Sequence, residues 1–105
     1  IAFDFSSQGD MINIPENISL VLFRITQEAI NNTIKYSMAD ELRIRLTLLT
    51  DQIEFTIVDN GVGFDMDTIE QGFGLAGMEN RVKALNGSFI LDSKNGTQIK
   101  ITIPL

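Results

Sequence analysis

With 105 residues, 44% hydrophobic and 21% charged, the chain has the composition of a soluble globular protein and the length of one domain with one core, which excludes disordered, collagen-like and multidomain readings. Eight Lys and Arg against fourteen Asp and Glu leave a net charge of −6, so there is no basic footprint for a nucleic-acid backbone. Cysteine and histidine are both absent, which removes disulfides, thiol catalysis, Ser-His-Asp catalysis and His-ligated metals; chemistry falls to carboxylates, amides, Lys, Arg and the backbone.

Ile1 to Phe5 alternates weakly and predicts an edge strand, followed by a polar turn through Ser6, Gln8, Gly9 and Asp10. Pro15 suits the first turn of a helix, and Ile18, Val21, Leu22, Ile25, Ala29 and Tyr36 recur at helical spacing, so a helix is expected from about 15 to 37. Its most apolar run, Ile18 to Phe23 broken by Ser19, falls far short of the ~18 residues of a membrane span, and the start of the chain lacks the basic patch of a signal peptide. The expectation is a cytoplasmic domain that makes no membrane contact of its own. Leu42 to Leu48 and the segment around Ile53, Phe55 and Ile57 alternate with polar residues and predict two half-buried strands joined at Thr50 to Gln52.

Asn60 to Gly72 has little periodicity and holds Gly61, Gly63 and Gly72, a loop of a length that is more often functional than idle. Leu75, Met78, Val82 and Leu85 mark a second helix, stopped by Asn86-Gly87. Ser88 to Asp92 and Gln98 to Ile103 are the last strands, with a turn at Lys94 to Gly96. The order β, α, β, β, α, β, β favours an α+β fold: a two-layer α/β sandwich whose mixed, mostly antiparallel sheet is covered on one face by helices. Residues 1–105 read as one domain.

Several polar residues break this pattern. Glu28, Asn32 and Lys35 share a narrow sector of the first helix, with Asn32 inside its apolar stripe; either Asn32 caps a neighbouring backbone group while Glu28 and Lys35 form a solvated edge, or the three belong to a site. Asp59 continues the parity of Ile53, Phe55 and Ile57, so its carboxylate faces the core side and needs a partner, either in an Asx-turn or in a ligand. Thr97 shares the parity of Ile99, Ile101 and Ile103 and faces the same cleft. Gly72, Gly74 and Gly77 in the first turn of the second helix would let backbone N–H groups approach an anion, phosphate above all. The string GFGLAG, with Asp92 downstream, satisfies the letters of the GxGxxG dinucleotide fingerprint. It fails the context, because that fingerprint needs a strand running directly into its first glycine and Asp67 to Gln71 is polar.

The pieces in this order resemble the GHKL ATPase family, shared by sensor histidine kinases, type II topoisomerases, Hsp90 chaperones and mismatch-repair ATPases. Glu28-Ala-Ile-Asn-Asn32-Thr-Ile-Lys35 resembles the N box, Asp59-Asn-Gly-Val-Gly63-Phe the G1 box, Gly72-Phe-Gly-Leu-Ala-Gly77-Met the G2 box, and Asn95-Gly96-Thr97 the final glycine-threonine turn. The short lid, the stretch GFGLAGMENRVKALNGSF and the ending IKITIPL are most similar to sensor kinases of the nitrate-sensor type, which signal to response regulators with LuxR-type DNA-binding domains.

The resemblance implies the Bergerat ATP-binding fold, ATP and Mg²⁺ as cofactors, and transfer of the γ-phosphoryl to a histidine. It implies that Asn32 coordinates Mg²⁺, Glu28 orients or deprotonates the nucleophile, Lys35 meets phosphate, and Asp59 accepts from the adenine amine with support from Thr97. Gly61, Gly63, Gly72, Gly74, Leu75 and Gly77 would shape the lid and the phosphate-binding backbone. Where many kinases have Lys-His in the N box, this chain has Lys35-Tyr36. With no histidine of its own, the chain would be the catalytic half of a homodimeric kinase, the acceptor lying on a separate dimerisation domain, and it could be the cytoplasmic part of a membrane sensor. An anti-sigma-type serine kinase and a nucleotide-binding switch with little turnover are the alternatives. The lid from Phe64 to Gln71 would move without nucleotide.

Overall fold

Among the described residues, five strands and two helices follow one another as β1 (Ala2–Gln8), α1 (Glu16–Asn32), β2 (Glu41–Leu48), β3 (Gln52–Asp59), α2 (Leu75–Ala84), β4 (Ser88–Asp92) and β5 (Gln98–Pro104). This is a computed structural model, and it describes residues 2–9, 14–34, 38–61, 75–92 and 96–105. The strands form one sheet in the order β1-β2-β3-β5-β4. β1 runs parallel to β2 because α1 carries the chain back between them; the other neighbours are antiparallel. The expected α+β sandwich with a mixed sheet is the observed one.

Register lines the alternating residues into rows across the helix-facing side. One row is Leu48, Ile53 and Ile103, the next Leu46, Phe55, Ile101 and Phe89, the third Ile44, Ile57, Ile99 and Leu91. Against them pack Ile18, Leu22, Ile25 and Ala29 of α1 and Met78 and Val82 of α2, all buried. Each such side chain stabilises the fold by ~1.5–3 kcal/mol relative to exposure, Ala29 by less. The fourth row begins with Leu42, and opposite it stands Asp59. The apolar lattice therefore ends in a carboxylate at one end of the sheet.

Two boundaries differ from expectation. β1 extends through Ser6 and Gln8, which the sequence places in a turn; the open edge of β2 supplies a ladder that overrides their poor strand propensity. Pro15 caps α1 from outside, its carbonyl accepting the N–H groups of Ile18 and Ser19 at 3.1 Å each, and Glu16 is the first helical residue. Regular helix ends at Asn32 and widens into a π-helical turn at Thr33 and Ile34, whereas the expected end at 37 lies outside the described residues.

The stop after α2 is as expected, but Asn86 takes the left-handed position, at φ 61°. Gly87 N–H reaches the Val82 carbonyl and Asn86 N–H that of Lys83, both at 3.0 Å, a Schellman pair. Gly87 is needed for closeness: a Cβ there would sit 2.6 Å from the Thr102 carbonyl.

Candidate functional site

The carboxylate of Asp59 is 4% exposed, and burial of a charge demands partners. Its Oδ1 accepts the backbone N–H of Gly61 at 3.0 Å and of Thr97 at 3.1 Å. Its Oδ2 accepts the Thr33 hydroxyl at 3.3 Å, a long bond that leaves lone-pair capacity. Oδ1 closes the Asx-turn and ties β3 to the entry of β5, while Oδ2 faces the space beneath α1.

That space is a cavity of about 10 Å³, room for one water, lined by Ala29, Asn32, Thr33, Ile57, Asp59, Thr97 and Ile99. Asn32 and Thr97 are buried beside it, at 6% and 5% exposure. The Thr97 hydroxyl oxygen is buried and has no hydrogen-bond partner among the described residues. A buried hydroxyl left without a partner costs ~1–3 kcal/mol, so its place beside Asp59 marks a point where a polar ligand atom would be welcome.

Two neighbours fix this corner. Gly96 is buried with φ 80°, and a Cβ there would collide with the Asp59 carbonyl oxygen, so only glycine lets the two chains meet. Asn60 takes the backbone N–H groups of Asp40 and Glu41 on its Oδ1, at 2.9 and 3.0 Å, clamping the end of β3 to the start of β2. A broader depression of about 210 Å³ beside Asn60 is lined by Glu41, Arg43, Val58 and Asp59. Two of its charges meet each other: Arg43 pairs with Glu41 at 2.6 Å and is held above its ordinary pKa, first by that hydrogen bond and then by the Glu41 charge.

Residues 17–105 match the family of histidine kinase-, DNA gyrase B- and HSP90-like ATPases. The chain belongs to this ATPase family. It is 39% identical over 111 residues to the signal transduction histidine-protein kinase/phosphatase DegS of Bacillus subtilis, covering all of this chain and 29% of that protein. It is 32% identical over 95 residues to the histidine-protein kinase/phosphatase UhpB of Salmonella typhimurium, covering 90% of this chain and 19% of that one. The chain therefore spans less than a third of the curated relatives it matches. The histidine kinase domain of a blue-light activated kinase from Erythrobacter litoralis superposes with a TM-score of 0.80 at 20% identity, over 98% of this chain and 55% of that one, and shares the fold.

Within this ATPase domain Asp59 and Thr97 face one cavity, as their strand parity predicts, and Asn32 of α1 also lines it. Glu28, one turn before Asn32, is half-buried, and Gly61 is half-buried as the donor to Asp59. Lys35, Tyr36, Gly63, Gly72, Gly74 and the lid from Phe64 to Gln71 lie outside the described residues. The described part of α2 runs from Leu75 and contains Gly77. Gly77 is exposed, and a Cβ there would meet nothing nearer than the Arg81 guanidinium at 4.0 Å.

Thr33 is the position that the sequence reading does not single out; Asn60 and Gly96 fall inside the quoted motifs, but their contacts with Asp40, Glu41 and Asp59 are visible only in the fold. Thr33 leaves one trace in the sequence, since it flanks the same apolar stripe as Asn32. Among the described residues no group of three or more carboxylates could form a metal cage, and no helix is long and apolar enough to cross a membrane.

Proposed function

We propose that this ATPase domain binds ATP with Mg²⁺ at the end of the sheet where α1, β3 and β5 meet, the amine edge of the base at the mouth of the water-sized cavity, and delivers the γ-phosphoryl to a histidine on a dimerisation domain outside the chain. The observation that carries the reading is the buried Asp59 side chain standing beside the Thr97 hydroxyl, which has no hydrogen-bond partner among the described residues. A carboxylate oxygen accepts the exocyclic amine of adenine and repels the carbonyl oxygen that guanine offers at the same place, so the pair selects ATP over GTP. Thr97 assists directly or through one water, for which the cavity has room.

From the base pocket, α1 leads toward the phosphates. The Asn32 amide oxygen would hold Mg²⁺, which when bound neutralises charge on the ATP phosphates. Glu28 lies four residues earlier on the same helical side and is half-buried; it would orient the histidine and take its ring proton. The histidine nitrogen forms a bond to the γ-phosphorus as the bond to the bridging oxygen breaks and ADP leaves. Lys35 would meet the phosphates, with backbone N–H groups of the segment holding Gly61, Gly63, Gly72, Gly74, Leu75 and Gly77.

In this reading the intact protein is a homodimeric, cytoplasmically acting sensor kinase that passes the phosphoryl on to a response regulator with a LuxR-type DNA-binding domain. Labelled Mg-ATP with the histidine-bearing helical domain tests it. Acid-labile, base-stable phosphohistidine is expected, and acid-stable phosphoserine or no transfer would contradict it.

A further inference from the structure

Asn32 and Thr33 are consecutive on α1, yet both are buried, at 6% and 3% exposure, and both line the water-sized cavity beside Asp59. Successive residues of an α-helix point ~100° apart, so two polar neighbours seldom share one buried corner. Here the helix widens at Thr33 and Ile34 into a π-helical turn, with the Thr33 N–H reaching the carbonyls of both Ala29 and Ile30. Short π-helical turns of this kind gather at functional sites.

The Thr33 hydroxyl donates to Asp59 Oδ2 at 3.3 Å across 26 residues. The two backbone donors to this carboxylate, Gly61 and Thr97, both meet Oδ1. The torsion that turns an Asp carboxylate is broad, so hydrogen bonds rather than rotamer preference fix the plane of the group. The pair on Oδ1 pins that atom. The bond from Thr33 sets where Oδ2 stands, and Oδ2 is the oxygen that has room for the adenine amine. A carboxylate oxygen accepts more than one donor, so Thr33 can hold it while the amine binds. Valine would fill the same buried place without a polar group to desolvate; the hydroxyl is favourable there only through the bonds it makes.

We propose that Thr33 is a positioning residue for base recognition: its hydroxyl holds Asp59 Oδ2 in line for the exocyclic amine of ATP. The proposal rests on the adenine reading of Asp59 above and adds to it a residue of α1 that acts through that carboxylate.

The test is calorimetric titration, with Mg²⁺ present, of the parent chain and its Thr33→Val and Thr33→Ser variants. Each is titrated with ATP and with purine riboside triphosphate, which has the same ring system and phosphates but no exocyclic amine. The parent should bind ATP the more tightly of the two. In Thr33→Val the ATP dissociation constant should rise about five- to tenfold, while that of the amine-free analogue stays within about twofold of the parent and so reports an intact site. Thr33→Ser, which keeps the hydroxyl, should return ATP to within about twofold of the parent. Equal losses for ATP and the analogue in Thr33→Val make Thr33 a structural residue and overturn the proposal. An ATP affinity unchanged in Thr33→Val, or not restored in Thr33→Ser, overturns it as well. A parent that binds the two nucleotides equally, or neither, removes the adenine reading and the proposal with it, a failure seen before any variant is made.

Discussion

Asp59→Asn separates the two jobs of one carboxylate. The amide keeps a carbonyl oxygen, which can occupy the Oδ1 position and accept the N–H groups of Gly61 and Thr97. Its NH₂ then stands where Oδ2 was, against the Thr33 hydroxyl, which can rotate to accept. The fold should survive, with charge-assisted bonds exchanged for neutral ones at about 1–3 kcal/mol, or roughly 4–8 °C in melting temperature per kcal/mol for a domain of this size. Nucleotide recognition suffers more. The adenine amine would face an N–H donor, losing a hydrogen bond to a charged group and leaving a buried donor without an acceptor, about 2–4 kcal/mol together. That corresponds to a rise of roughly 30- to 700-fold in the ATP dissociation constant. GTP should lose nothing and gain slightly, because its carbonyl oxygen can accept from the new amide. Calorimetric titration of parent and variant with each nucleotide checks this. An ATP affinity within twofold of the parent, or equal losses for ATP and GTP, would refute the assignment of Oδ2 to adenine.

Thr97→Val removes a hydroxyl that has no partner among the described residues, so the melting temperature should hold or rise while ATP affinity falls about tenfold; a fall in both would make the hydroxyl structural. Gly96→Ala places a Cβ against the Asp59 carbonyl at a positive φ and should cost about 2 kcal/mol or more in urea unfolding, whereas a parental midpoint would show that the close approach is relaxed in solution. Glu28→Gln should leave ATP affinity at the parental value and lower phosphohistidine formation by about 10²- to 10⁴-fold, measured in single-turnover transfer; equal loss of both would place Glu28 in binding.

What could be read from residue order follows from periodicity. The alternation of Ile53, Phe55 and Ile57 carries forward to Asp59, and that of Ile99, Ile101 and Ile103 back to Thr97, so two strands with the same parity announced a polar corner before any contact was known. The 3.6-residue repeat in α1 likewise put Asn32 among Ile25 and Ala29. What periodicity cannot carry is contact between distant segments. Thr33 meets Asp59 across 26 residues, and Asn60 meets Asp40 and Glu41 across 20 and 19, through single side chains with no repeat to reveal them. β1 shows the same limit on the scale of an element. Ser6, Ser7 and Gln8 are poor strand formers and exposed, and they extend because β2 offers them a parallel ladder.

Amide resonances of the ¹⁵N-labelled domain, titrated with ATP and Mg²⁺, address the nucleotide site most directly. Saturable shifts concentrated at Asn32, Thr33, Gly61 and Thr97, with GTP producing far smaller changes, are the predicted result. An unperturbed spectrum at millimolar nucleotide, or shifts confined to the outer sheet face around Arg43 and Arg45, would contradict the account.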